Sequence, residues 1–405
     1  MGHLESEKYL IAVSISTTFL TIIFWSFGFL RMGTVGLISQ SFGKSDYREL
    51  VRIILRNIFI AIVVSFLIII FKPALLNIIY KLFTVSPQTN IFINEYISIR
   101  VLSAPAELII YVLIGFYLGI QRTIISSSLI LVLSVLNIFL SIYFVNELDL
   151  NVKGVALGTL LSSYVTVLTF SIFTYFYFIK KFKLIPRFVQ KRLFNLKKII
   201  KLLNINFNIF IRTILLTFSF FWITYLSSTL GEEYVAVNTI LLQLIFISSF
   251  FLDAYAFSTE GIIGYSIGKK SLKMFMSATK NSLILSFSTG ILISIFFLFT
   301  VTEIINLITD LEFLRFLTYK YLIWVIIIPP IASFAYQLDG IFIGATQTSE
   351  LRNGMIVSVI TYLLLSFYLT QQLHNYGIWF SLLLFMILRA STLHFYFSKI
   401  LNKFK

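Results

Sequence analysis

Residues 33–44 read GTVGLISQSFGK, and residues 258–270 read STEGIIGYSIGKK. Gly36, Gly43 and Lys44 of the first stretch fall on Gly261, Gly268 and Lys269 of the second, 225 residues later. The same register carries Pro105, Tyr111, Gly115 and Gly119 onto Pro330, Tyr336, Gly340 and Gly344. It also carries Glu7 and Tyr9 onto Glu232 and Tyr234, and slips to 223 where Gly154 meets Gly377. A period this long means a duplicated structural unit, so the chain reads as two homologous halves.

The composition says where those halves sit. The 405 residues are 58% hydrophobic, 17% aromatic and 12% charged, whereas soluble domains carry about 25% charged residues. That excludes a soluble enzyme and a disordered tail, and it is too apolar for a nucleic-acid reader. With no cysteine, a disulfide scaffold, a thiolate zinc site and a cysteine nucleophile are excluded. A membrane helix needs about 20 mostly apolar residues. Such segments lie near 9–41, 51–80, 92–121, 123–145, 154–179, 205–228, 234–267, 274–306, 314–345, 351–371 and 377–398, eleven in all. Strand-like alternation does not recur as a membrane barrel would need. Residues 9–30 lack the basic start and small-residue cleavage site of a signal peptide.

The net charge of +15 resolves into topology. Lys44, Arg48 and Arg52 mark one turn; Lys269, Lys270, Lys273 and Lys280 another; Lys399, Lys403 and Lys405 the end. Between Lys180 and Lys201 lie Lys181, Lys183, Arg187, Lys191, Arg192, Lys197 and Lys198 with no acid among them. Alternate turns hold Glu147 and Asp149, then Glu232 and Glu233, then Glu303, Asp310 and Glu312. Since cytoplasmic loops collect Lys and Arg, the C-terminus is expected in the cytoplasm and the N-terminus outside. The expected protein is an all-α polytopic membrane protein of two pseudo-symmetric helical lobes. An N-terminal lobe spans 1–179, a basic linker, partly an amphipathic surface helix, 180–204, and a C-terminal lobe 205–405. Matching halves share an orientation, as in the parallel repeats of many secondary transporters. Helix 205–228 has no counterpart ahead of Tyr9, so a full duplication would carry twelve spans; a start placed too late is preferred to a true eleven-helix variant.

Several stretches resemble one family. FWSFGFLRMGTVGLISQSFG (24–43), YISIRVLSAPAELIIYVLIGFYLGIQ (96–121), GVALGT (154–159), FIRTILL (210–216), VAVNTILLQ (235–243), LDAYAFSTEGIIGYSIG (252–268) and QLDGIFIGATQTSELRN (337–353) carry the likeness. In order and spacing they resemble the multidrug and toxic compound extrusion (MATE) transporters, in their DinF-like branch, with the opening helix missing. The resemblance implies two six-helix lobes around a central cavity that opens alternately to either side. Inward flow of protons or sodium would drive outward movement of organic, often cationic, compounds. The expected setting is the inner membrane and the expected form a monomer without cofactor. A flippase for lipid-linked or amphipathic substrates, and a degenerate membrane protein that transports nothing, are the alternatives.

A charge in mid-membrane is expensive, about 3 kcal/mol on insertion scales, so each is a candidate site. Asp253 and Glu260, seven apart, share one helix face. Asp339 lies mid-span before Gly340. The three are candidates for cation coupling or substrate binding, as the resemblance also implies for Glu260 and Asp339, with a structural pair to an arginine such as Arg389 as the plainer reading. Asn238 and Gln243 could add neutral oxygens for sodium. In the other lobe, the resemblance implies a cation site built from an aspartate on the missing helix, an Asn-x-x-x-Asp pair, a tyrosine and a threonine. Here Asn137, Tyr96 and Thr159 stand at matching positions, but Ser141 replaces the second aspartate. Glu107, whose repeat mate is Ala332, is the candidate substitute, against a reading as a cavity-lining or interface glutamate that snorkels outward. Arg31 and Arg100 are expected to pack or pair. His3, His374 and His394 do not cluster, so no metal site is expected, and no phosphate-binding glycine loop points to ATP.

Overall fold

The computed structural model describes residues 7–83, 85–182, 193 and 195–404. Among them the regular structure is helical: α1 (Glu7–Ser26), α2 (Phe29–Gly43), α3 (Tyr47–Ile70), α4 (Lys72–Leu82), α5 (Pro87–Arg100), α6 (Ala104–Gly119), α7 (Thr123–Asn146) and α8 (Asn151–Phe182). Then come α9 (Leu196–Leu230), α10 (Glu232–Gly268), α11 (Leu272–Ile308), α12 (Glu312–Tyr319), α13 (Leu322–Gly344), α14 (Thr348–Leu373) and α15 (Asn375–Leu401). Eleven stretches are long and apolar enough to cross a membrane. Their surface agrees with that setting: Phe139 is 75% exposed, Phe299 73% and Phe395 81%, a display that lipid tolerates and water does not.

The helices depart from the uninterrupted spans of the sequence reading at four places. α1 and α2 break at Phe27–Gly28, α3 and α4 at Phe71, and α12 and α13 near Lys320. A 3-10 turn, Val101–Ser103, separates α5 from α6, so Pro105 stands in the first turn of a helix, where its missing N–H costs nothing. Pro329 and Pro330 do lie inside α13. The basic stretch also differs: helix α9 already begins at Leu196, while Lys183, Arg187, Lys191 and Arg192 lie outside the described residues, as do His3 and Lys405.

The described chain divides into two compact units, Met1–Leu203 and Asn204–Lys405. Element by element they repeat one another. Three pairs of non-glycine residues have a positive φ at matching positions: Ser45 and Lys270 (φ 57° and 55°), Gln121 and Thr346 (59° and 53°), Asp149 and His374 (49° and 51°). Such residues are uncommon and cost about 1–3 kcal/mol each, so their recurrence marks common descent of the backbone. The first two pairs close helix ends in the same way. The amides of Asp46 and Ser271 reach back to the carbonyls of Ser41 and Ser266, both at 3.0 Å, the six-to-one bond of a Schellman cap. Asp46 and Ser271 then accept from the amides of Glu49 and Met274 to start the next helix.

Each unit is held by a glycine pair. A methyl group at Gly340 would fall 2.7 Å from the carbonyl oxygen of Ala256, and one at Gly344 2.4 Å from that of Glu260. In the first unit a methyl at Gly115 would fall 2.6 Å from the oxygen of Arg31, and one at Gly119 3.1 Å from that of Val35. Arg31 and Val35 are the repeat mates of Ala256 and Glu260. Both pairs are small-xxx-small patterns that let helix backbones touch. Gly344→Val should therefore push α13 off α10 and cost about 1–3 kcal/mol. Thermal unfolding of the purified protein checks this, and a wild-type midpoint would contradict the contact.

Candidate functional site

In the second unit the charged side chains meet on three helices. Asp339 of α13 is 5% exposed. Its Oδ2 accepts from Arg212 of α9 and, at 2.6 Å, from Arg389 of α15. The Arg389 guanidinium also lies 5.6 Å from the ring centres of Tyr336 and Phe385. The arginine partner weighed in the sequence is thus present, and a second one joins it. Among the described residues Asp339 Oδ1, Arg212 Nε and Arg389 Nε have no hydrogen-bond partner. Tyr336, one turn before Asp339, interacts electrostatically with both Asp253 and Asp339, so these two carboxylates share one neighbourhood. A void of about 10 Å³ beside Tyr336, lined by Ser248 and Ser249 among others, has room for one water.

Glu260 is 1% exposed on α10. Between it and Asp253, Thr259 donates to Gln337 Oε1 at 3.0 Å, and Gln337 donates to the Leu252 carbonyl at 3.4 Å. Asn238 is occupied elsewhere: its amide nitrogen donates to Ser227 (2.7 Å) and Asn375 (2.6 Å), and its oxygen accepts from Trp379 (2.8 Å). Gln243 is exposed on another side of α10. The two amides expected to serve one ion therefore do not converge, because five residues rotate a helix by about 140°.

In the first unit a cavity of about 370 Å³ is lined by Arg100, Glu107, Tyr111, Asn137, Thr159 and Ser163 among others. Asn137 donates to Thr159 at 2.8 Å. Glu107 Oε1 accepts from Ser103 at 2.7 Å and from Arg100. Glu107 is the one acid among the residues that line this cavity, as the cavity-lining reading had it, and it is paired with Arg100. Tyr96 stands behind it: its hydroxyl meets Thr17 of α1 at 3.0 Å and it interacts with Arg100. Ser141 does not line the cavity; its buried hydroxyl has no described partner and presses on Gly158, where a methyl would fall 2.4 Å from Oγ. Of the expected set, Asn137, Thr159 and Glu107 come together, while Tyr96 joins only through Arg100.

Sequence reasoning missed Arg212, Gln337 and Tyr336 as members of these clusters. Arg212 carried a signal, an arginine inside the apolar run FIRTILL that had to find a partner. Its partner, however, lies 127 residues away. Among the described residues no group of three or more His, Cys, Asp and Glu side chains is placed to hold a metal ion.

The MatE family profile matches residues 1–143 and 209–371. The chain is 31% identical to DNA damage-inducible protein F of Escherichia coli over 97% of its own length and 85% of that protein. It is 28% identical to the multidrug export protein MepA of Staphylococcus saprophyticus over 45% of its length and 39% of that protein's. A crystal structure of MATE in the straight conformation superposes with a TM-score of 0.87 at 17% identity, covering 98% of this chain and 89% of that one. One in the bent conformation gives 0.86 at 18% identity, covering 98% and 89%. The duplicated helical fold and these matches agree: the chain is a multi-pass membrane protein that belongs to the MatE family of transporters.

Proposed function

We propose that the protein exports organic, mostly cationic compounds by alternating access, driven by inward flow of protons or sodium. In this reading it acts as a monomer in the bacterial inner membrane with its C-terminus in the cytoplasm. The observation that carries the reading is a carboxylate within the membrane-spanning helices of each unit: Glu260, 1% exposed, and the half-buried Glu107, which lines a cavity with Asn137 and Thr159. Carboxylates kept in such places at a cost of about 3 kcal/mol mark ion or proton pathways. The basic turns at Lys44, Lys269 and Lys399 support the orientation. The export described by the name of the Staphylococcus relative supports the direction of transport.

The acids divide the work. Glu260, Asp253 and Glu107 exchange the coupling cation. Asp339 is shared by two arginines, so its single negative charge is more than offset in place, and its part is to keep α9, α13 and α15 together. This assigns Asp339 a different task from the exchange expected of it in the sequence.

Two experiments test this division. Glu260→Gln and Glu107→Gln should each lower efflux of a fluorescent organic cation at least tenfold while the protein still reaches the membrane; unchanged export in both variants would sink the coupling reading. Asp339→Asn leaves two buried arginines without a counter-ion, which should cost about 3–5 kcal/mol. Adding Arg212→Gln restores the original net charge and should recover part of that loss in thermal unfolding. An Asp339→Asn protein as stable as wild type but unable to export would return Asp339 to the exchange role.

A further inference from the structure

The two units treat one helix face differently. In the first unit the outer face of α3 is met by Leu193 and by the first turns of α9. Arg56 Nε donates to the Leu193 carbonyl at 2.7 Å, and Lys198 Nζ lies 2.7 Å from Glu49 Oε2. Beneath them, Ile199 and Leu202 face Leu55 and Phe59 across an apolar pocket of about 300 Å³. The occupant is therefore amphipathic, with a charged end at Glu49 and an apolar body along α3.

In the second unit the equivalent face of α11 forms part of an open groove of about 630 Å³. The repeat register replaces Glu49, Arg52 and Arg56 by Met274, Ser277 and Asn281, which line the groove. The anchoring anion is gone, and the charge that remains is Lys273, the mate of Arg48. No acid lines the groove. Its polarity has a direction. At the hairpin end stand Lys273 and Ser271, beside the N-terminus of α11 and near Lys269 and Lys270. Away from it, Ala278, Ile262 and Leu285 line the wall, and the last two are 39% and 53% exposed.

From the uncovered groove, its single lysine and its apolar wall we propose that the α10–α11 groove binds an anionic phospholipid. The phosphate sits at Lys273 and the N-terminus of α11, where the helix dipole and the lysine both favour an anion. One acyl chain runs along Ile262, Ala278 and Leu285, taking the place that Ile199 and Leu202 take in the first unit. The units differ in one acid: on α3, Glu49 receives Lys198 of the chain itself, whereas no acid lines the α11 groove and its charged lining residue is Lys273, which suits an anion from the bilayer. The proposal stands on the membrane-spanning fold and does not depend on which ion drives transport.

The test is lipid retention by the purified, delipidated full chain, read by native mass spectrometry during titration with phosphatidylglycerol or phosphatidylcholine. Phosphatidylglycerol should be held at least fivefold more tightly. Lys273→Gln should lower its affinity about fivefold, the worth of one lysine against an anionic surface. Ala278→Phe, which fills the groove, should lower it comparably. Lys44→Gln, on the equivalent turn of the first unit, should leave it unchanged. Equal retention of both lipids, wild-type retention by Ala278→Phe, or an equal loss in Lys44→Gln would overturn the proposal. So would glycerol phosphate competing as strongly as the whole lipid. If Ala278→Phe does not fold, Leu285→Gln on the exposed wall replaces it with the same expected loss and the same overturning result.

Discussion

Helices in lipid gain nothing by hiding apolar surface from one another, since the tails around them are as apolar as leucine. What holds this fold is backbone against backbone at the glycine pairs of α6 and α13. The Gly344 Cα side faces the carbonyl of Glu260 so closely that a single methyl would fall 2.4 Å from the oxygen. Contacts of that kind are worth little singly and need a long smooth seam to add up. α10 supplies it with 37 residues of unbroken helix. The same seam fixes where Glu260 stands, because its own carbonyl is the surface on which α13 rests. Packing and candidate chemistry therefore share one residue, and a change in either is felt by the other.

The repeat explains the scaffold and leaves the charges unexplained. Caps, positive-φ residues and glycine contacts recur at matching positions, but the ion clusters inside the helices do not. Asp339 and Arg389 have Ile114 and Thr166 as mates, Glu260 has Val35, and Arg100 and Glu107 have Val325 and Ala332. Each unit has filled its apolar interior with its own ion cluster after duplication. The first joins Arg100, Ser103 and Glu107 within eight consecutive residues, at the turn between α5 and α6. The second draws on three helices far apart in sequence. A local cluster holds one corner, while a distributed one ties a bundle together. That difference is why the second cluster reads as a brace and the first as a cavity wall.

This contrast also marks how far the sequence could be read. Helix number, class and duplication were legible because apolar length and a 225-residue register are one-dimensional signals. The Arg100–Glu107 pair was nearly so, since seven residues place two side chains on one helical side even across a 3-10 turn. The Arg212–Asp339 contact was not, because nothing in the spacing of residues 127 apart selects one partner over another. Asn238 misled for a related reason. Its position inside an apolar helix was visible, but the Trp379 indole and the Asn375 amide that satisfy it come from another helix. A buried amide is read as a free ligand until its partners are known, and those partners are a property of the tertiary fold.

Ser141, where the family resemblance implies an aspartate, has a clear physical setting. The residue stands where its hydroxyl presses on Gly158, within 2.4 Å of the place a methyl would take there. A larger carboxylate in that contact would have to turn toward the cavity, and with it would come a second negative charge beside Glu107. Serine removes both the bulk and the charge, and α7 and α8 close on each other at that level. The cavity keeps one carboxylate, on α6, held by Arg100 from the end of α5. Under the proposed exchange, a proton or sodium ion arriving there competes with a guanidinium fixed in the wall. In the first unit the carboxylate is therefore held by a guanidinium that Tyr96 and Ser103 also engage.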